Sequence, residues 1–411
     1  MAARRKRRRR RRGGCLSALF KFIFLLALIA VVSGGILWKM GELDGLTDMA
    51  ADVAADMARG REIPYEEPES ATREAVSTGK YYFDQLSAEE QSVYQEILQG
   101  LKDHEEEIYV HEAESEKANQ ICQYVLRDFP DIFWCRGNVT SRGYGGEEPY
   151  TVLEPEYEYD RETSAQMQAE IEESAEEFLA GIPEDSSDYE KILAVYEYVV
   201  NTTEYDDDAE DDQNIYSVFV RKRSVCAGYS RAVQYLLEKL GVFCTYVTGT
   251  AADGSPHAWN LVLCGGDYYY VDATWGDPVF QNKEMQFVSY DYMCSDDSQL
   301  FQTHTPDDTV ELPACTHMEQ NYYVKNGMYF DSYDAGKALE LMNDSISKKE
   351  RLTVLKFSDS DVYAQAKEDL LENVISRAAR NLADWYNLSE VNYSYLDDKN
   401  LNKMVVYWEY K

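Results

Sequence analysis

Between residues 22 and 38 the chain runs for 17 positions without a charged side chain, and Phe22, Ile23, Phe24, Leu25, Leu26, Leu28, Ile29, Val31 and Val32 make the run strongly apolar. Counted from Cys15, with Lys21 reaching toward an interface, the stretch 15–39 is long enough to cross a bilayer as a helix. Beyond it the pattern breaks into short periodic segments. Ser87 followed by Glu90 is a capping box that predicts a helix through residue 101. A strand over 108–110, a helix over about 114–126, strands near 132–135 and 150–159, and helices over about 162–180 and 189–201 follow. In the middle of the chain Cys226, Tyr229, Ser230, Val233, Leu236, Leu237 and Leu240 recur at steps of three and four, one face of a helix that Gly241 ends. A strand over 243–248 comes next, and then two apolar runs joined by Gly265-Gly266, the signal of a two-residue hairpin turn. After residue 300 the pattern predicts a strand near 322–330, a helix over 335–345, a strand over 352–357, a helix over 362–382 and a last strand over 403–410.

Charge sharpens the topology. Nine basic residues occupy positions 4–12, Lys21 and Lys39 follow, and no Asp or Glu precedes Glu42. A basic arm before an apolar span predicts an N-terminus in the cytoplasm and residues from about 40 onward outside it. The small residues Ser33-Gly34-Gly35 leave a cleaved signal peptide as the alternative. The chain from residue 40 carries 29 basic and 75 acidic residues, a net charge of −46. So acidic a surface repels nucleic acid, which removes the reading of the arm as part of a nucleic-acid binder. The acidic stretch 205–212 is predicted to be a solvated loop rather than a calcium loop, because it lacks the glycine and ligand spacing of one.

Seven cysteines follow the apolar span: Cys122, Cys135, Cys226, Cys244, Cys264, Cys294 and Cys315. An odd number in an oxidising compartment leaves one unpaired, and Cys122 with Cys135 and Cys294 with Cys315 are candidate disulfides. No CxxC pair occurs and the five histidines are scattered, so no metal or cofactor is expected.

The candidate chemistry sits on the helix and the hairpin. Cys226 falls in the first helical turn, where unsatisfied N–H groups and the positive dipole end favour thiolate over thiol and can bind an oxyanion. If the Gly-Gly turn has two residues, Cys264 pairs with Asp267 and Trp259 with Asp272. His257 then shares a sheet face with Asp272, its diagonal neighbour. The carboxylate holds one imidazole nitrogen while the other faces Cys226, a nucleophile, base and orienting acid suited to acyl transfer. Each of the three has an ordinary structural explanation alone; their joint placement favours the catalytic one. Gln213 and Ser217, polar and just upstream, are candidate oxyanion donors, and Trp259 and Trp275 are candidate walls or substrate contacts of the cleft.

The segments VCAGYSRAVQYLLEKLGVFCTYVTG, HAWNLV and YYYVDATWGDP together resemble the bacterial transglutaminase-like superfamily over about residues 185–280. The resemblance implies an α+β, papain-like core, a helix-start cysteine packed on an antiparallel sheet. It also implies the three catalytic positions Cys226, His257 and Asp272. Members include transglutaminases, peptidases and amide-cleaving enzymes, and some have lost activity. Gly276 stands where many relatives carry an Asp. The expected organisation is a cytoplasmic basic arm (1–14), a transmembrane helix (15–39), a stalk (40–78), an N-terminal α+β region (79–165), the catalytic domain (166–300) and a C-terminal α/β region of unlegible role (301–411). The expected function is a cell-surface thiol enzyme of a Gram-positive type, acting on protein or peptide amides. The alternative is a catalytically idle scaffold of the envelope.

Overall fold

Local signals place the helices well. The computed structural model describes residues 63–77, 79–210, 212–277 and 287–410. The predicted arm, the apolar span and residues 40–62 of the stalk lie outside the described residues. Among the described residues no helix is long and apolar enough to cross a membrane. Within the segment read as stalk, α1 (Ser70–Val76) already buries Thr72 and Val76, so packed structure begins earlier than residue 79.

The first layer contains α2 (Tyr81–Asp84), α3 (Ala88–Asp103), β1 (Ile108–Val110), α4 (Ser115–Asp128), β2 (Cys135–Tyr144) and β3 (Tyr150–Tyr157). The Ser87 box forms as read: its side chain accepts from Glu90 N–H, and the Glu90 carboxylate accepts from Ser87 N–H. The three strands pair antiparallel in the order β1-β3-β2 over Ile97, Leu101, Ile121, Val125 and Leu153. The strand expected near 132–135 begins only at Cys135. Most of β2 is polar with one half-exposed face, so no apolar alternation announced it.

The central layer opens with α5 (Arg161–Leu179) and α6 (Asp188–Thr202), followed by the short parallel pair β4 (Glu204–Tyr205) and β5 (Arg223–Ser224) and a π-helical turn over Ser217–Arg221. Helix α7 (Cys226–Lys239) then packs on an antiparallel five-stranded sheet of order β10-β6-β7-β8-β9. Its strands are β6 (Cys244–Ala251), β7 (Pro256–Cys264), β8 (Asp267–Val271), β9 (Met293–Ser295) and β10 (His304–Pro306). Lys80 ties the two layers, donating to Asp128 C=O at 2.8 Å and to the Glu238 carboxylate at 2.7 Å. In the 205–212 loop Asp206 pairs with Arg223 and Glu210 with Arg221.

After α8 (Asp297–Leu300) and α9 (Tyr322–Lys325) the chain builds a further, four-stranded sheet of order β11-β12-β14-β13 from β11 (Tyr329–Phe330), β12 (Leu352–Phe357), β13 (Tyr393–Asp398) and β14 (Lys403–Trp408). Helices α10 (Ala335–Ser347), α11 (Ser360–Asp369) and α12 (Ile375–Tyr386) supply the rest of its core, α11 and α12 being joined by a π-helical turn over Leu370–Val374. The strand expected over 322–330 is instead α9 followed by two strand residues. The Asn321 side chain caps α9 by accepting from Tyr323 N–H.

Candidate functional site

Glycine and a laid-over loop prepare the nucleophile. The chain before α7 returns across its start: Ser224 Oγ donates to Asp212 C=O at 2.8 Å. A Cβ on Gly228 would come within 2.0 Å of Ser224 Oγ and 3.0 Å of the Asp212 and Asn214 carbonyls. Only glycine lets that loop close over the first turn. Cys226 is the first residue of the helix, and its first backbone N–H groups have no intrahelical acceptor. Of the seven described cysteines six are buried and Cys226 alone is partly exposed. All seven are free. The proposed partner of Cys294 is corrected, since its thiol meets Cys264 rather than Cys315, the end of β7 and β9 converging there.

Helix and sheet are cross-linked beside the site. Ser230 Oγ bonds to Ala258 C=O at 2.9 Å, and the Asn260 amide donates to Ser230 C=O at 2.9 Å. These contacts hold β7, and with it His257, against α7. The hairpin register is as read, with Cys264 opposite Asp267 and pairing continuing to Asn260 opposite Val271. The chain then leaves the ladder, and Asp272 N–H turns to Tyr292 C=O. Asp272 reaches His257 all the same: Nε2 and Oδ2 are 2.8 Å apart. The second carboxylate oxygen accepts from Thr274 N–H at 2.9 Å and Trp275 N–H at 3.2 Å.

Asp272 is wholly buried, which alone would raise its pKa; His257 and His304 outweigh this and hold it well below the usual carboxylate range. Burial likewise works against a charge on His257. The Asp272 carboxylate, aided by the Cys226 thiol, prevails and raises the imidazole pKa to about 10. With Nε2 committed to Asp272, Nδ1 is the ring nitrogen left for the thiol. Cys226 and His257 together line a cavity of about 520 Å³, with Gln213 and the carboxylates of Asp207, Asp212 and Asp307 also on its walls.

The other expected site residues separate. Gln213 lines the cavity. Ser217 does not: it is fully buried, its hydroxyl on Asn214 C=O at 2.7 Å and 2.6 Å from Ser224 Oγ, so it braces the loop instead of facing substrate. Trp259 and Trp275 are corrected too. Neither lines the cavity, and their rings pack behind the triad with centroids 6.0 and 5.9 Å from His257. Gly276 has a packing reason, because a Cβ there would sit 2.2 Å from the Tyr196 hydroxyl.

His304 escaped the sequence reading. Its Nε2 is 3.0 Å from the same Asp272 Oδ2, and its side chain is wholly buried. It lies 32 residues beyond Asp272, outside any motif, and only the pairing of β10 with β6 brings it in. The facing atoms of His257, Asp272 and His304 lie within 4.8 Å of one another, a spacing open to a metal. The Nε2 of each ring is engaged in a hydrogen bond to the carboxylate, which describes a proton-holding group.

The fold and site together define an α+β domain of the thiol-enzyme type, a helix-start cysteine facing a strand histidine. Residues 175–273 match the family described as the Transglutaminase-like superfamily, and the chain carries a transglutaminase-like domain. The kyphoscoliosis peptidase of Mus musculus is 23% identical over 206 residues, covering 42% of this chain and 30% of that protein. Its Homo sapiens counterpart is 22% identical over 233 residues, 47% of this chain and 34% of that protein. The matched stretch thus spans about a third of the length of these relatives. A crystal structure of a TGase aligns at a TM-score of 0.26 and 19% identity, covering 36% of this chain and 47% of that one, too slight a likeness to argue from.

Proposed function

We propose that this protein is a thiol-dependent acyl-transfer enzyme that acts on amide groups of proteins or peptides through Cys226, His257 and Asp272. The observation that carries the reading is one imidazole held between a buried carboxylate and a cysteine thiol on the wall of an open cavity. In the reaction Cys226 attacks the amide carbonyl as a thiolate, forming a carbon–sulfur bond and a tetrahedral oxyanion. Backbone N–H groups at the start of α7 and the Gln213 side chain are the donors for that oxyanion. His257 gives its proton to the leaving amine as the carbon–nitrogen bond breaks, which leaves a thioester. Water or a second amine then attacks the thioester, His257 accepts the proton of the incoming group, and the thiol returns. Water yields a peptidase or amidase, an amine a cross-linking enzyme. The acidic cavity wall of Asp207, Asp212 and Asp307 favours substrates that carry positive charge near the reacting group.

The domain is held outside the cytoplasm by the apolar span 15–39 in this reading, a consequence of the basic arm before it. Protease added to intact cells is then expected to remove the domain; full protection would place it inside. The enzymatic reading is tested with iodoacetamide at mildly acidic pH and mass mapping of the adducts, followed by peptide hydrolysis and amine incorporation side by side. Labelling is expected at Cys226 alone, with turnover in one of the two assays. Adducts spread evenly over several cysteines, or no turnover in either, would overturn it.

A further inference from the structure

Asp272 holds more donors than a triad needs. One oxygen is already fixed by two backbone N–H groups, and the other is shared between two imidazoles. An ionised carboxylate only accepts, so both rings must present Nε2–H to it. For His304 that leaves Nδ1 facing Thr303 Oγ at 2.8 Å, and that hydroxyl in turn meets the Tyr292 hydroxyl at 2.9 Å. Thr303 Oγ also lies 3.3 Å from Leu300 C=O as a donor, and Tyr292, Thr303 and His304 form one hydrogen-bonded row that ends on the carboxylate. Trp259, Trp275 and Tyr292 surround the ring with centroids 5.0, 4.8 and 5.2 Å away and close it from water. His304 does not line the cavity and cannot touch substrate there.

Since the backbone already sets the position of Asp272, a second imidazole contributes charge sharing rather than placement. We propose that His304 is a positioning residue of the site, a second imidazole donor that takes part of the Asp272 charge and thereby limits how strongly Asp272 holds His257 protonated. The catalytic meaning of this rests on the acyl-transfer reading above, because a ring held too basic gives its proton less readily to a leaving amine. The titratable groups against His304 are Asp272, His257 and Tyr292. Cys226 and Asp253 act on His257, and Asp207, Asp212 and Asp307 lie across the cavity.

The test uses the full chain labelled with ¹⁵N in its five histidine rings, a number small enough to assign by single substitutions. In the unaltered protein His304 is expected to carry a proton on Nε2, the nitrogen that faces Asp272. In His304→Leu the midpoint at which His257 titrates is expected to rise by about one pH unit, the scale of a lost hydrogen bond to a charged group. In His304→Gln, whose amide nitrogen can donate from nearly the same place, the midpoint stays near its original value. An unmoved His257 midpoint in folded His304→Leu overturns the proposal, as does a His304→Gln midpoint displaced as far as that of His304→Leu. Should His304→Leu fail to fold, a His304 ring without a proton on Nε2 in the unaltered protein overturns it alone. Cys226 alkylation is measured in the same samples. An unreactive Cys226 would defeat the acyl-transfer reading while leaving the His257 midpoints to judge His304 separately.

Discussion

Two buried carboxylates, Asp272 and Asp291, solve the same electrostatic problem for different ends. Asp272 meets Tyr292 through a backbone hydrogen bond, so the two lie on adjoining strand ends. Both are wholly buried and both have their pKa held down against the rise that burial alone would cause. Asp272 does this with two imidazoles, one of which reaches an open cavity and a thiol. Asp291 does it with Lys403 and Lys356 of the C-terminal sheet, and with the Ser289 hydroxyl at 2.7 Å. Lysine is a point charge that stays protonated near neutrality, whereas imidazole can pass a proton within that range. The lysine cluster is accordingly a joint between the transglutaminase-like domain and the C-terminal region, and the imidazole cluster is a candidate site. Burial and perturbed ionisation alone do not distinguish the two; the partner's chemistry and a path to a cavity do.

The largest effects should fall on the imidazole side. Cys226→Ala is expected to abolish turnover and acidic-pH labelling, and His257→Ala to come close to the same. Asp272→Asn should lower the rate by about 10²–10⁴, since the thiol remains but the imidazole tautomer is no longer imposed. Rates within tenfold of wild type in the last variant would remove Asp272 from the mechanism. The pair also has a pH signature. The raised pKa of His257 means its stabilisation is full below about pH 6.5 and is lost as pH rises through about 10. The depressed pKa of Asp272 means its share is present above about pH 3.9 and is lost as pH falls below that. Denaturant unfolding across this range should show both losses, and Asp272→Asn should abolish the acid-side loss and shrink the alkaline one, where Cys226 still acts on His257.

On the lysine side the effect is expected in stability instead of chemistry. Asp291→Ala strands two buried ammonium groups and should cost about 3–5 kcal/mol in unfolding free energy. Its labelling profile at Cys226 should keep the wild-type pH dependence; a displaced profile would mean the two clusters are coupled. Gly276→Ala, forced against the Tyr196 hydroxyl, should cost about 1–3 kcal/mol. The smallest change is Ser87→Ala, about 1 kcal/mol for a lost cap far from either carboxylate. A loss of activity in that variant beyond its loss of folded protein would show that the N-terminal layer reports to the site.

Helices α3, α5, α6 and α7 were legible because capping residues and three-four apolar spacing act over a few residues. The β7–β8 hairpin was legible for the same reason, since Gly265 and Gly266 adopt the positive φ its turn requires and the side-chain period of two carries the register as far as Asn260 opposite Val271, one residue short of Asp272. Elements held by distant partners were not. The polar strand β2, the edge strand β13 with its exposed Tyr393 and Tyr395, and the three-residue β9 and β10 owe their conformation to neighbours far along the chain. The sequence alone thus determined the helix-start position of Cys226, its helix and the hairpin that carries His257, all set by local geometry. Tertiary structure alone decided that Ser217 braces a loop, that Trp259 and Trp275 stand behind the triad, and that His304 joins Asp272. Each of those depends on which strands pair across the sheet, and spacing along the chain carries no record of that.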